Sequence, residues 1–101
     1  METALTLNGE IAHIKLARHF TLDAVQDFNR KIHAALANPA LRELQVDFQN
    51  VDYVDTAALT SLKKLSARAK GRSVALTGCT PAVKSVLTSA KCHNLFEIHH
   101  A

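Results

Sequence analysis

The chain predicts an α/β domain, a mixed and mostly parallel sheet with helices packed on it, in the order ββαβαβαβ. Three observations lead there. Short alternating apolar runs are separated by longer segments whose apolar residues fall at helical spacing. The helical segments open on Thr or Asp, and the first two close at Asn-Pro or Gly. Strand–helix–strand repeats call for right-handed crossovers and parallel pairing, which leaves the opening hairpin as the antiparallel part.

Taken in order, residues 3–8 (TALTLN) and 11–17 (IAHIKLA) read as two strands, with Asn8-Gly9 as the hairpin signal. Thr21 reads as the N-cap of a first helix whose inner face carries Leu22, Val25, Phe28, Ile32, Ala35 and Leu36. Asp23, Gln26, Asp27, Arg30 and Lys31 face away, and Asn38-Pro39 ends it. Residues 43–48 alternate as a strand. Ala58, Leu59, Leu62 and Leu65 define a second amphipathic helix over 56–69, closed by Lys70-Gly71. A strand follows at 72–78. Thr80-Pro81, a cap followed by Pro at the first helical position, opens a third helix with Val83, Val86, Leu87 and Ala90 inward. Leu95 to His99 makes the last strand.

At 101 residues the chain forms one domain, residues 1–101, with room for a single core. Apolar residues are 48% of the chain and spread along it, which excludes a disordered chain. Aromatics are only 5% and Trp is absent, which argues against stacking platforms for nucleic acid, and no reading motif is present. The formal charge of +3 is concentrated in Lys63, Lys64, Arg68, Lys70 and Arg72. Such a group suits an acidic protein surface, a phosphate or an anionic membrane, or is a solvated helix face. The start, METALTLNGE, lacks the basic and apolar regions of a signal peptide. No apolar run approaches the roughly 18 residues of a membrane span. The expectation is a soluble, cytoplasmic protein.

Signals for catalysis are thin. With glycine only at 9, 71 and 78 there is no GxGxxG, no GxxxxGK and no GxSxG. Cys79 precedes a helix, where a thiol pKa can fall, but Ser85 stands where a phosphatase-type loop would want Arg. A small residue closing a strand is the plainer reading. Cys79 and Cys92 lack metal-site spacing and read as reduced thiols. The six histidines show no HxxxH pair with a carboxylate: His99 and His100 point to opposite strand faces, His13 shares a face with Lys15, and His33 reads as partly packed. No metal and no cofactor is implied, and the chain reads as a non-enzyme.

The most informative stretch is Val46 to Leu59, VDFQNVDYVDTAAL, where an alternating strand runs through a short loop into Asp55-Thr56 at the mouth of a helix. First-turn N–H groups and the positive end of the helix dipole favour anions there. Thr56 reads either as an ordinary N-cap or, if Asp55 is the cap, as a first-position residue with its hydroxyl free. Tyr53 is either a core anchor for the loop or an exposed contact. Thr80 reads as a structural cap.

From Val46 onward the chain resembles the STAS domain family, the fold of the bacterial anti-sigma factor antagonists. VDFQNVDYVDTAAL resembles the family's strand, loop and Asp-Ser/Thr helix start; GRSVALTG resembles the next strand; TPAVKSVL and NLFEI resemble its third helix and final strand. The most specific part is Asp55-Thr56 with Thr80-Pro81-Ala82-Val83-Lys84. The resemblance implies a STAS-like fold and a protein-interaction module. It also implies phosphorylation of Thr56 by a kinase-like anti-sigma factor, in a transcription-regulating switch. The docking surface it implies is Tyr53, Asp55, Thr56, Ala57 and Ala58, with Lys63 and Lys64 further along the same helix to meet acidic groups of the partner.

Three departures stand out. Arg18-His19-Phe20-Thr21 replaces the frequent Gly-Glu-Leu-Asp, Ala57-Ala58 stands where antagonists commonly show Ser-Gly, and the chain stops at Ala101, where many have a further helix. A second branch is also similar. Asp-Thr, two small residues, Leu and a helix ending in basic residues resemble the STAS subunits of Mla-type lipid-transport ABC systems. There the domain binds the ATPase subunit, and the Thr is a contact without evident phosphorylation.

Overall fold

The computed structural model describes residues 3–100; Met1, Glu2 and Ala101 of the predicted 1–101 domain lie outside the described residues. Five strands form the main sheet in the spatial order β1(Ala4–Asn8), β2(Ile11–Lys15), β4(Glu43–Asp47), β6(Ser73–Cys79), β7(Glu97–His100). Only β1 and β2 are antiparallel; β2–β4, β4–β6 and β6–β7 are all parallel. Three helices make the crossovers: α1(Leu22–Leu36), α2(Thr56–Arg68) and α3(Pro81–Ser89). Because the strand order steps one way through parallel neighbours and such crossovers share one hand, all three helices lie on the same face. The predicted ββαβαβαβ order holds.

Register explains the alternation read in the sequence. Ile14, Val46, Leu76 and Ile98 lie side by side under the helices, and so do Ala12, Leu44 and Val74. The opposite face carries His13, Gln45, Ala75 and Glu97 in one row and Lys15, Asp47 and Thr77 in another, a polar surface without a helix over it. The core joins the first set to Phe28, Ile32 and Ala35 of α1, Ala58, Leu62 and Leu65 of α2, and Val83 and Leu87 of α3. Phe20 links the two ends of this core, its ring 5.0 Å from Phe28 and 6.1 Å from Phe48.

Several expectations change in detail. Two further short strands, β3(His19–Phe20) and β5(Tyr53–Val54), pair in parallel as a separate sheet. Two-residue strands carry no periodic signal, so the alternation could not reveal them. Leu22 and Val86, both expected inward, are exposed, because each lies at the margin of its helix's apolar stripe. His33 is exposed rather than partly packed. Residues 92–94 form a 3₁₀ turn after Lys91 in the left-handed region (φ 64°), which delays the last strand to Glu97.

Arg72 leaves the basic group proposed for the surface. Its guanidinium donates to the carbonyls of Leu41 (3.1 Å), Leu36 (3.3 Å) and Asn38 (3.2 Å), closing the C-terminal end of α1. Ser61, on the inner side of α2, donates to Asn29 Oδ1 at 2.9 Å, so the α1–α2 contact contains a satisfied polar pair as well as apolar packing.

Candidate functional site

The loop from β4 to α2 is tied down along its length. Phe48 N–H donates to Thr77 C=O at 2.8 Å and Val51 N–H to Phe48 C=O at 2.9 Å, which turns the chain over the end of the sheet. Asp52 N–H then donates to Arg18 C=O (2.9 Å) and Asp55 N–H to Phe20 C=O (3.2 Å), stitching the loop to residues 18–20 through the β3–β5 pair. Phe20 and Val54 point inward. His19 and Tyr53, opposite each other in register, point outward, and Tyr53 is 57% exposed. Tyr53 is therefore a surface residue and not a core anchor.

Asp55 occupies the N-cap of α2 in extended backbone (φ −98°, ψ 175°), and its carboxylate joins two helices. Oδ1 accepts from Ala58 N–H of α2 at 2.9 Å, and Oδ2 accepts from Leu22 N–H, the first residue of α1, at 2.9 Å. One carboxylate thus serves both N-termini and meets the positive end of both helix dipoles. Thr21, expected to cap α1, holds the N-cap position but makes no side-chain cap bond. Asp55, 34 residues further along the chain than Thr21, takes that role.

With Asp55 as the cap, Thr56 is the first residue of α2 and is exposed. Ala57 is half-buried, and Ala58 is fully buried against the core, so its side chain gives no contact surface. Lys63 and Lys64 are exposed two turns beyond Thr56 on the same side of the helix. Leu22, 65% exposed, joins the group beside Asp55. A reading by helical periodicity puts Leu22 in the core; its place beside the α2 start depends on a contact 33 residues away.

The segment Arg18-His19 brings two basic side chains to this rim. Arg18 Nε donates to Asp52 Oδ2 at 2.5 Å, and His19 Nε2 lies 3.4 Å from Asp52 Oδ1. The Arg18 hydrogen bond holds the Asp52 carboxyl below its usual range, and Asp52 in turn raises the Arg18 guanidinium. An open groove of about 730 Å³ adjoins, bordered by Arg18, His19, Thr21, Asp23, Asp27 and Arg30; its mixed charges favour neither cation nor anion.

The other sequence candidates separate from this site. Cys79 is buried at the end of β6, as expected of a small residue closing a strand, and burial, with Asp47 nearby, pushes its thiol up to about 11. Cys92 is buried and raised for the same first reason, and both are free thiols. Thr80 caps α3, accepting from Val83 N–H at 3.3 Å, as read from the sequence. His13 Nε2 lies 3.1 Å from Asp47 Oδ2 on the open sheet face, and Lys84 Nζ lies 3.0 Å from His100 Nε2. Among the described residues no three His, Cys, Asp or Glu side chains converge as metal ligands. Nor is any helix among them long and apolar enough to cross a membrane.

Comparison with known proteins agrees with this architecture. The family model described as "Mlab, STAS domain" matches residues 3–97. A STAS-domain containing protein of Pseudomonas aeruginosa (strain UCBPP-PA14) is 31% identical over 99 residues, covering 95% of this chain and 96% of that protein. The anti-sigma-factor antagonist (STAS) domain protein of Planctomyces limnophilus superposes with a TM-score of 0.85 at 15% identity, over 100% of this chain and 92% of that one. The phosphorylated form of the Bacillus cell fate determinant SpoIIAA gives a TM-score of 0.64 at 21% identity, over 95% and 89% of the two chains. The solved structures share the overall fold described above, and the chain belongs to the STAS domain family.

Proposed function

We propose that this protein is a docking module without catalysis, an anti-sigma factor antagonist-like STAS domain whose surface at Asp55–Thr56 binds a kinase-like anti-sigma factor and is switched by phosphorylation of Thr56. The observation that carries this reading is the division of labour at the start of α2. Asp55 caps the helix, and Thr56 stands exposed in the first turn with its hydroxyl not needed for the cap. Modification there leaves the fold's own hydrogen bonds in place. A phosphate brings about −1.5 to −2 charges, and in a docked interface these meet desolvation and the Asp55 carboxylate. Tyr53 and Leu22 offer apolar anchors beside it, while Lys63 and Lys64 steer an acidic partner surface.

A second reading is supported by the match to the Mlab description: an accessory subunit bound to the ATPase of a lipid-transport ABC system. It uses the same surface but requires a constitutive complex. Affinity capture from the native cell with wild type, Thr56→Ala and Thr56→Asp as baits separates the two. A kinase-like protein held by wild type and lost with Thr56→Asp supports the switch. An ATPase held by wild type irrespective of kinase or ATP supports the transporter subunit. Equal capture of the kinase-like protein by all three baits refutes the switch.

A further inference from the structure

The main sheet has two edges, and they are unlike. On β7, Glu97, His99 and His100 charge or polarise the strand, and its register with β6 is broken between Leu76 and Cys79. These are the devices that keep edges from pairing. On the other edge, β1 (ALTLN) has no charge, no proline and an unbroken register with β2 from Ala4↔Lys15 to Asn8↔Ile11. Its Leu7 is 52% exposed although it stands on the helix-covered side, next to buried Ala12.

The direction of the free backbone groups on β1 follows from the hairpin. The loop is Gly9-Glu10, with Gly9 at φ 61° in the first loop position, and Asn8 and Ile11 close it. The pair flanking a two-residue loop exchanges both hydrogen bonds, and the pattern alternates from there. Asn8, Thr6 and Ala4 therefore bond to β2, and the N–H and C=O of Leu5 and Leu7 point away from the sheet.

We infer that β1 is a self-association edge that pairs antiparallel with β1 of a second copy about a two-fold axis at Thr6. In this register Leu5 faces Leu7 of the other copy in both directions, so the outward N–H and C=O groups of both residues are matched. The same pairing lays each exposed Leu7 against a Leu5, and Thr6 against Thr6. No like charges meet, because β1 carries none. A two-fold axis satisfies both edges with one surface and closes the assembly at a dimer. The inference shares no residue with the Asp55–Thr56 surface and stands independently of the proposed function.

Sedimentation velocity on the full chain over a rising concentration series tests it. Wild type is expected to pass toward twice its 11.0 kDa mass. Thr6→Lys sets two ammonium groups opposite each other, and Leu7→Pro removes an outward N–H that β2 does not use; both are expected to stay monomeric. Thr6→Cys with a mild thiol oxidant is the positive control, since Cα atoms of a non-hydrogen-bonded pair lie about 4.5 Å apart, within disulfide reach. Its cross-linking is expected to exceed that of Asn8→Cys by at least about tenfold, because only position 6 faces itself. A wild type that stays monomeric throughout, a dimer that survives Thr6→Lys, or equal cross-linking at positions 6 and 8 would each overturn the inference.

Discussion

The carboxylate of Asp55 gives the most direct test of how this site is built. Replacing it with Ala removes the acceptors for Ala58 N–H and Leu22 N–H, both held at 2.9 Å. Loss of one N-cap costs about 1 kcal/mol, and the dipole contribution at each partly exposed helix start adds about 0.3–1 kcal/mol. Water reaches the half-buried Asp55, so these lower figures apply rather than those for a sealed charged hydrogen bond. Two helices together then give about 2.6–4 kcal/mol. For a domain of this size each kcal/mol lowers Tm by about 4–8 °C, so a fall of roughly 10–30 °C is expected. Asp55→Asn can still accept at one helix but presents an amide donor to the other, and should lose about half as much. Thermal and denaturant unfolding give the energies, and amide hydrogen exchange assigns them. The Leu22 and Ala58 amides should both lose protection in Asp55→Ala, while Thr56→Ala should stay within about 0.5 kcal/mol of wild type. An Asp55→Ala protein within about 0.5 kcal/mol of wild type, or one whose Leu22 amide is as protected as before, would refute the two-helix role.

Three other outcomes are expected. Gly78→Ala forces a side chain into the left-handed region (φ 65°) and sets its Cβ 2.9 Å from Asp47 Oδ1 and 3.0 Å from Gln49 N. A loss of about 3 kcal/mol in denaturant unfolding follows, and a loss under about 1 kcal/mol would show that the Asp47–Gln49 turn yields freely. The Cys79 thiol, raised from 9.0 to about 11, keeps its proton in the folded protein after the unfolded chain has lost it. Its contribution to stability is therefore full below pH 9 and declines between pH 9 and 11, and Cys79→Ser should flatten that decline in urea melts across the range. Leu22→Ala and Tyr53→Ala are expected to change stability by under about 0.5 kcal/mol, because both side chains are mostly exposed. If they anchor the partner, each weakens its capture by tenfold or more, an effect of about 1.4 kcal/mol or above. Unchanged capture with both would move the docking surface elsewhere.

Much of the architecture is legible in the sequence because it rests on short-range rules. Period-2 and period-3.6 spacing define a strand or helix within a dozen residues, and Thr80-Pro81 and Asp55-Thr56 mark starts by chemistry internal to the first turn. The succession of strands and helices then leaves almost no freedom in the sheet, since crossovers share one hand. The Asp55–Thr56 pair is legible in the same way, but the sequence allows two roles for Thr56, and only the Asp55 cap on Ala58 N–H decides between them.

What the sequence by itself determined, then, is the order of elements, the parallel sheet, and a helix mouth bearing an acid and a threonine. The tertiary structure alone decided which groups meet there. It put Asp55 rather than Thr21 on the start of α1, turned Leu22 and Tyr53 to the surface and Ala58 to the core, and sent Arg72 to the end of α1. Each of these contacts joins residues more than thirty positions apart, or depends on which face a neighbouring element covers. Periodicity records a residue's own face and is silent on what the crossover brings to it.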